Sequence, residues 1–529
     1  MTSPMIGVRP LLRVSLEQDR TRIAPWVAGV TALSASSILA YRWIFPDVAD
    51  RKGLSMALAA NPALELVFGP ARNLLTNDGF NAWRAGQLGA LFAALMAILV
   101  VIRNSRANED SSQAELIASG VITRQGRLLV AVLLAWVAGV LLGVVCFLVT
   151  WACGGAPWPT FVLSASYTAA AWMFAGVAAV AAQLGADSRT ASSLAVGTLG
   201  VSYVARGYLD CSDAADWTSW LTPLGWLERM APSTDNDLWP LVPCVALAVV
   251  LVVSALALQQ HRDFGLGMIT PRPGPAQAPR LDNLGLAWRL HRGALLTWAV
   301  AFAFLGLVFG NLAGTIGEVI AGNPAMATVL ASGATTRSEF AFAFVSMILR
   351  IIGIVTAIMG AQVMTRLYAE EVDYRVEPLL AGALRRPALL GAHVLVALLA
   401  TACGLLLAGT VLGLVASRGD ESIAFTDVLR QAASTIPAVW AMLGVAVATI
   451  GAQPVARLAS WLVIVATFGI TLLGPTFKLP EWALGISPLH HVPVVVAADP
   501  SWTGLAVVVA VAALLVLVGF VGFRRRDVL

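Results

Sequence analysis

The chain has 529 residues, of which 58% are hydrophobic and only 12% charged, and its mean hydropathy is +0.79. Charged residues make up about a quarter of an ordinary soluble domain, so these figures exclude one. The formal net charge is only +4, Lys occurs only at positions 52 and 478, and no basic stripe interleaved with aromatics marks a nucleic-acid surface.

Apolar runs of about 18 residues or more recur along the chain, which is too long for strands. The expected fold class is therefore all-α, a polytopic membrane protein whose helices satisfy their own backbone polar groups in lipid. Residues 10–22 carry Arg13, Arg20 and Arg22 among apolar positions and read as an amphipathic helix on the membrane surface. Spans are expected at Ile23–Ile44, Gly86–Ile102, Leu128–Trp151, Phe161–Leu184, Ser192–Tyr208 and Leu241–Leu258. The Pro-rich stretch TPRPGPAQAPR, Thr270–Arg280, then reads as an extended linker. A second surface helix, Leu284–Arg292, precedes spans beginning near Ala294, Phe340, Leu389, Ala432, Leu458 and Leu505.

The second half repeats the first. Glu109, Glu115, Gly120 and Arg124 are spaced by six, five and four residues, and Glu371, Glu377, Gly382 and Arg386 repeat those spacings at an offset of 371 − 109 = 262. Asn61-Pro62-Ala63 recurs as Asn323-Pro324-Ala325, Thr222-Pro223-Leu224 as Ser487-Pro488-Leu489, and Arg262-Asp263 as Arg526-Asp527. The expected organisation is twelve transmembrane helices as a tandem duplication of six. Residues 1–263 form the first half, 264–283 the linker and 284–529 the second half. Each Glu-containing repeat follows the second span of its half and reads as a short amphipathic helix, a candidate docking element. Arg concentrates in the segments that face the cytoplasm when both termini are inside, which sets the expected orientation in the cell membrane.

The chemistry of an enzyme is missing. No GxxxxGK[ST] loop cradles phosphate, no HExxH is present, and the five cysteines form no CxxC or CxxH. No catalytic residue, metal site or cofactor is expected in this chain. Arg350 lies about ten residues into its span, at a depth of ~15 Å by helical rise. A charge at that depth should face a cavity or a partner rather than lipid. Phe340, Phe344 and Met347 share a face of the same helix. Arg350, Phe344 and Met347 are the candidates for a translocation path.

Taken together, the two six-span repeats, the surface helix before each first span, the E-x5-E-x4-G-x3-R loop after each second span and the Ser/Thr-Pro-Leu segment before each sixth span resemble the ABC transporter type-2 permeases. The fused twelve-span form is similar to actinobacterial exporters of polyketide antibiotics, the tetronasin type. This resemblance implies a permease for hydrophobic or amphiphilic drugs and two copies of a separate ATPase subunit that carry ATP and Mg. It also implies that the duplicated loops dock those subunits. Pro378 stands where the first loop has Leu116, so the two docking helices are expected to be unequal. The alternative is a secondary drug transporter of the major-facilitator type. That class would carry a short Gly/Asp/Arg-rich loop after its second span and acids within its spans.

Overall fold

A computed structural model describes residues 7–44, 48, 51–52, 55, 65, 67–111, 123–210, 215–263, 266–269, 282–321, 337–382, 384–473, 480–497 and 500–526. No strand occurs among the described residues. Twelve long helices dominate. They are α1 Val8–Ile44, α2 Asn77–Ile102, α3 Arg124–Ala152, α4 Pro157–Leu184, α5 Ser188–Asp210, α6 Leu241–Gln260, α7 Asn283–Ala321, α8 Arg337–Val372, α9 Arg386–Gly419, α10 Phe425–Ala452, α11 Leu458–Leu473 and α12 Thr503–Arg525.

Eleven of the described helices are long and apolar enough to cross a membrane. Sequence reading expects twelve spans. The remaining helix, α5, has the length of a span, but Arg206 and its Ser, Thr and Gly residues dilute its hydropathy. The two amphipathic surface stretches are not separate elements. Each continues without a break into the first helix of its half, because only Pro25 interrupts the donors of α1 and no Pro separates Leu284–Arg292 from the rest of α7, where Gly293 keeps its N–H and stays helical. One missing N–H costs a helix a single hydrogen bond, and helices in lipid tolerate that loss.

The chain divides into two compact units, Met1–Pro273 and Gly274–Leu529. In the first, α4 packs against α2, α3, α5 and α6, and α1 lies along α2 and α3. In the second, α10 packs against α8, α9, α11 and α12, and α7 lies along α8 and α9. Each unit has its own core of buried apolar side chains. Inside lipid, helix association rests on close fit rather than on removal of apolar surface from water. The buried side of α4 is accordingly rich in alanine, with Ala169, Ala170, Ala175, Ala178 and Ala179 set among a few larger side chains such as Tyr167 and Phe174. In the second unit two glycines let backbones touch. A Cβ on Gly310 would lie 2.8 Å from the Leu412 carbonyl oxygen, and one on Gly451 would lie 2.4 Å from that of Gly519.

Local signals place the helix ends. Thr76 and Thr123 cap α2 and α3, their hydroxyls accepting from the N–H of Gly79 and Gly126 at 3.0 Å each. Pro157 and Pro387 sit in first turns, where a missing N–H is harmless. In each unit the connection after the second helix, the turn after the fourth and the C-terminus of the sixth gather at one end of the bundle, here termed the loop end.

Candidate functional site

At the loop end of the first unit, α2 runs into a single π turn, Arg103–Ala107, and then Asn108–Asp110. This geometry aims the Glu109 carboxylate inward, toward Arg262 just beyond α6. Arg262 Nη2 donates to both Glu109 oxygens at 2.9 Å, and Arg106 Nη1 donates to Oε2 at 2.8 Å. The Arg106 side chain is 0% exposed, that of Arg262 3% and that of Glu109 9%. Arg262 is fastened further, with Nε donating to Gln183 Oε1 at the end of α4 at 2.7 Å and Nη1 to the Leu266 carbonyl at 2.7 Å. Burial pushes the Arg262 guanidinium down from its usual value, and Glu109 opposes that shift. Arg124, the first residue of α3, donates through Nη2 to the Arg262 carbonyl at 3.2 Å. The Gln259 amide donates to the Arg124 carbonyl, also at 3.2 Å. Arg106 reaches the Ala186 carbonyl in the turn after α4.

The second unit repeats this knot. Arg526 Nη1 and Nη2 donate to Glu371 Oε1 and Oε2, each at 2.6 Å, a fork-on-fork pair with the Glu371 side chain 2% exposed. Arg526 Nε donates to the Gly451 carbonyl at the end of α10 at 2.9 Å. Arg386, the first residue of α9, donates to the Arg526 carbonyl at 2.8 Å. Gly451 and Gly519 matter here, because their backbone contact brings the ends of α10 and α12 close enough for that fastening. At the position of Arg106 stands Tyr368 (368 − 106 = 262), with Arg457 beyond α10 lying 4.9 Å from its ring centroid. Both units thus tie the end of the second helix, the start of the third and the ends of the fourth and sixth into one charged knot.

Of the sequence candidates, Glu109, Arg124, Glu371 and Arg386 lie in these knots. Glu377 opens a five-residue helix, Glu377–Ala381, and is exposed, as is Gly382 after it. Glu115 and Gly120 lie outside the described residues. Below the short helix a cavity of about 230 Å³ is lined by Leu286, Leu290, Leu367, Glu370, Leu379 and His393. His393 shares a 3.0 Å hydrogen bond with His291. In the first unit the amphipathic part of α1 is held instead by Asp19, which accepts from Asn104 at 2.6 Å and lies 3.5 Å from Arg103.

Arg350 lies toward the opposite end. Its Nη2 donates to the Val492 carbonyl at 3.3 Å, in the segment between α11 and α12. Gln431 supports the same segment, donating to the Pro493 carbonyl and accepting from the Val495 N–H at 3.0 Å each. Phe344 packs on the core of its unit, and Met347 is half-buried nearby. The first unit places a different charged group at this end, one that sequence reading did not single out. Arg206, with its side chain 0% exposed, donates to Asp210 at 2.7 Å and lies 3.9 Å from Glu228, which Arg72 also meets at 3.2 Å. The signal available was an Arg and an Asp four residues apart at the end of an expected span. The partners Arg262 and Arg526 were visible only as a repeated Arg-Asp dipeptide. The structure also holds an apolar groove of about 310 Å³ between α3, α4 and α6, lined by Val140, Val144, Phe147, Phe161, Trp172 and Val245.

Comparison with known proteins gives two findings. A family model described as "Multidrug efflux system permease Rv1217c, C-terminal domain" matches residues 12–258 and 282–524, one segment in each unit. The multidrug efflux system permease protein Rv1217c of Mycobacterium tuberculosis (strain ATCC 25618 / H37Rv) is 35% identical over 535 residues, covering 99% of this chain and 96% of that protein.

Proposed function

Because the chain belongs to the family of multidrug efflux system permeases, we propose that it is the membrane-spanning subunit of an ATP-driven exporter that moves hydrophobic or amphiphilic drugs out of the cell. The observation that carries this reading is the knot that occurs twice. A loop whose two ends are both pinned by charged side chains is built to receive force, and it follows the second helix of each unit. On this reading the two units are copies of one six-helix module, each offering one loop to one of two ATPase subunits. ATP and Mg reside on those partners, and this chain contributes no catalytic residue. The loop end and both termini face the cytoplasm, as the distribution of Arg suggests. The exposed Glu377 and its counterpart Glu115 reach the partner surface, whereas Glu109 and Glu371 hold the loops from within. The apolar groove and the lipid-facing helices suit substrates that partition into the bilayer, polyketide antibiotics among them.

The test is copurification and hydrolysis. The lone purified chain should hydrolyse no ATP, and the full chain expressed with its ATPase should elute as a complex with two ATPase copies. Glu115→Arg with Glu377→Arg sets like charges against basic partner groups and should abolish both the complex and drug resistance. Hydrolysis by the lone chain, or a native mass without any partner, would refute the reading.

A further inference from the structure

We propose that Arg262 and Arg526 are positioning residues for transport. Each is the linkage through which movement of a docking loop is carried into the sixth helix of its unit and from there to the opposite end. The inference rests on the ATPase-driven reading above.

Both ends of each loop converge on one residue. Glu109 binds the Arg262 side chain from the end of α2, and Arg124 binds the Arg262 main-chain carbonyl from the start of α3. Glu371 and Arg386 treat Arg526 in the same way. A loop pushed or pulled by a partner therefore cannot shift without displacing the end of α6 or α12. The fourth helix moves with the sixth, because Arg262 also holds Gln183 and Arg526 also holds Gly451.

A helix of 20 residues such as α6 is about 30 Å long, so it delivers that displacement across the bilayer as a strut. At its far end it meets the segment containing the short helix Pro223–Glu228, which Arg72 and Arg206 hold through Glu228. The corresponding segment before α12 is held by Arg350 through the Val492 carbonyl. Both far segments are thus fastened to helices of their own unit by guanidiniums, Arg206 fully buried and Arg350 half-buried, while the near ends are fastened to the loops by Glu–Arg pairs.

Stability alone does not require such pairs. A buried ion pair is often replaceable by apolar side chains of similar volume without loss, whereas its bidentate geometry fixes register and direction. The Glu–Arg pair appears twice in this chain among different neighbours, Arg106 in one unit and Tyr368 in the other. What the two surroundings share is the connection between loop and sixth helix.

The experiment uses the full chain with its ATPase in liposomes and compares wild type, Arg262→Gln with Arg526→Gln, the corresponding double Lys variant, and the charge swap Glu371→Arg with Arg526→Glu. The readouts are ATPase copurification, ATP hydrolysis, and drug transported per ATP hydrolysed. The double Gln variant should copurify normally and hydrolyse ATP within about twofold of wild type, yet transport at least tenfold less drug per ATP. The double Lys variant should recover part of that ratio, and the charge swap, which alters the second knot alone, should transport more drug per ATP than single Arg526→Gln. Single Arg526→Gln, which leaves the first knot whole, gives an intermediate ratio and serves if the double variant does not assemble. A Gln variant with the wild-type ratio would overturn the proposal. So would hydrolysis and transport falling in proportion, with Lys no better than Gln, since that is the signature of a merely structural role. Wild type that neither copurifies with an ATPase nor transports with ATP would bring down the exporter reading itself, and is read before any variant.

Discussion

Glu371→Ala isolates the energetics of one knot. The carboxylate is 2% exposed and takes two 2.6 Å bonds from Arg526, whose side chain is 13% exposed. Truncation leaves Arg526 with the Gly451 carbonyl and the face of Phe523 as its remaining contacts in place of an anion. Removing one partner of a buried pair costs about 3–5 kcal/mol. The residual exposure of Arg526 lets water solvate part of its charge, which favours the lower end, about 3 kcal/mol. For a unit of this size each kcal/mol moves the midpoint by about 2–4 °C, so the melting temperature should fall by roughly 6–12 °C. Glu371→Leu with Arg526→Met removes both charges and should recover most of that loss, because no ion is left stranded. The assay is a thermal-shift series on detergent-purified protein followed by size-exclusion chromatography. A Glu371→Ala variant melting within about 1 °C of wild type, or a double variant worse than the single, would refute the reasoning.

Arg350→Ala should change drug specificity or drug-stimulated ATP hydrolysis while leaving expression intact, because it removes one fastening of the segment around Val492 and leaves those from Gln431. Export equal to wild type for a panel of drugs would count against it. Gly451→Leu should prevent α10 and α12 from closing and should abolish folded yield, whereas Gly469→Leu, with nothing within 4 Å of its added Cβ, should be neutral. Glu228, enclosed at the end opposite the loops and faced by Asp210, Arg206 and Arg72, with Glu65 nearby, has its carboxyl raised to about 8 by burial, against the pull of the two guanidiniums. The folded state therefore holds that proton more tightly than the unfolded chain, and the associated stability is present below about pH 4.5 and lost as pH rises toward 8. The melting temperature of wild type relative to Glu228→Gln should fall across that window, and a constant difference would contradict the assignment.

Much of the architecture was legible because lipid imposes long apolar runs and an internal repeat doubles every signal. The helix bounds at Thr76, Thr123 and Pro157 follow from cap chemistry that any sequence displays. Glu109 and Glu371 stood out by spacing, but spacing could not say that they point inward. Their partners lie 153 and 155 residues away, and only the packing of the sixth helix on the fourth brings them together. The partner of Arg350 could not be read at all, because it is a main-chain carbonyl and leaves no mark in a side-chain pattern. The amphipathic stretches before α1 and α7 were legible as polar-faced helices, but nothing in their composition distinguishes a separate surface helix from the first turns of a longer one.

The two knots differ in redundancy. Among the described residues, Glu109 is shared by Arg106 and Arg262, whereas Glu371 answers to Arg526 alone. Since both reside in one polypeptide, a single codon change reaches only one of them. An assembly of two identical six-helix chains would lose both at once. This chain therefore has a genetic buffer, and a lopsided one. A lost guanidinium in the first unit still leaves its carboxylate partnered, while the same lesion in the second leaves an orphan. Random mutagenesis for partial loss of export should accordingly return substitutions at Arg526 more often than at Arg106.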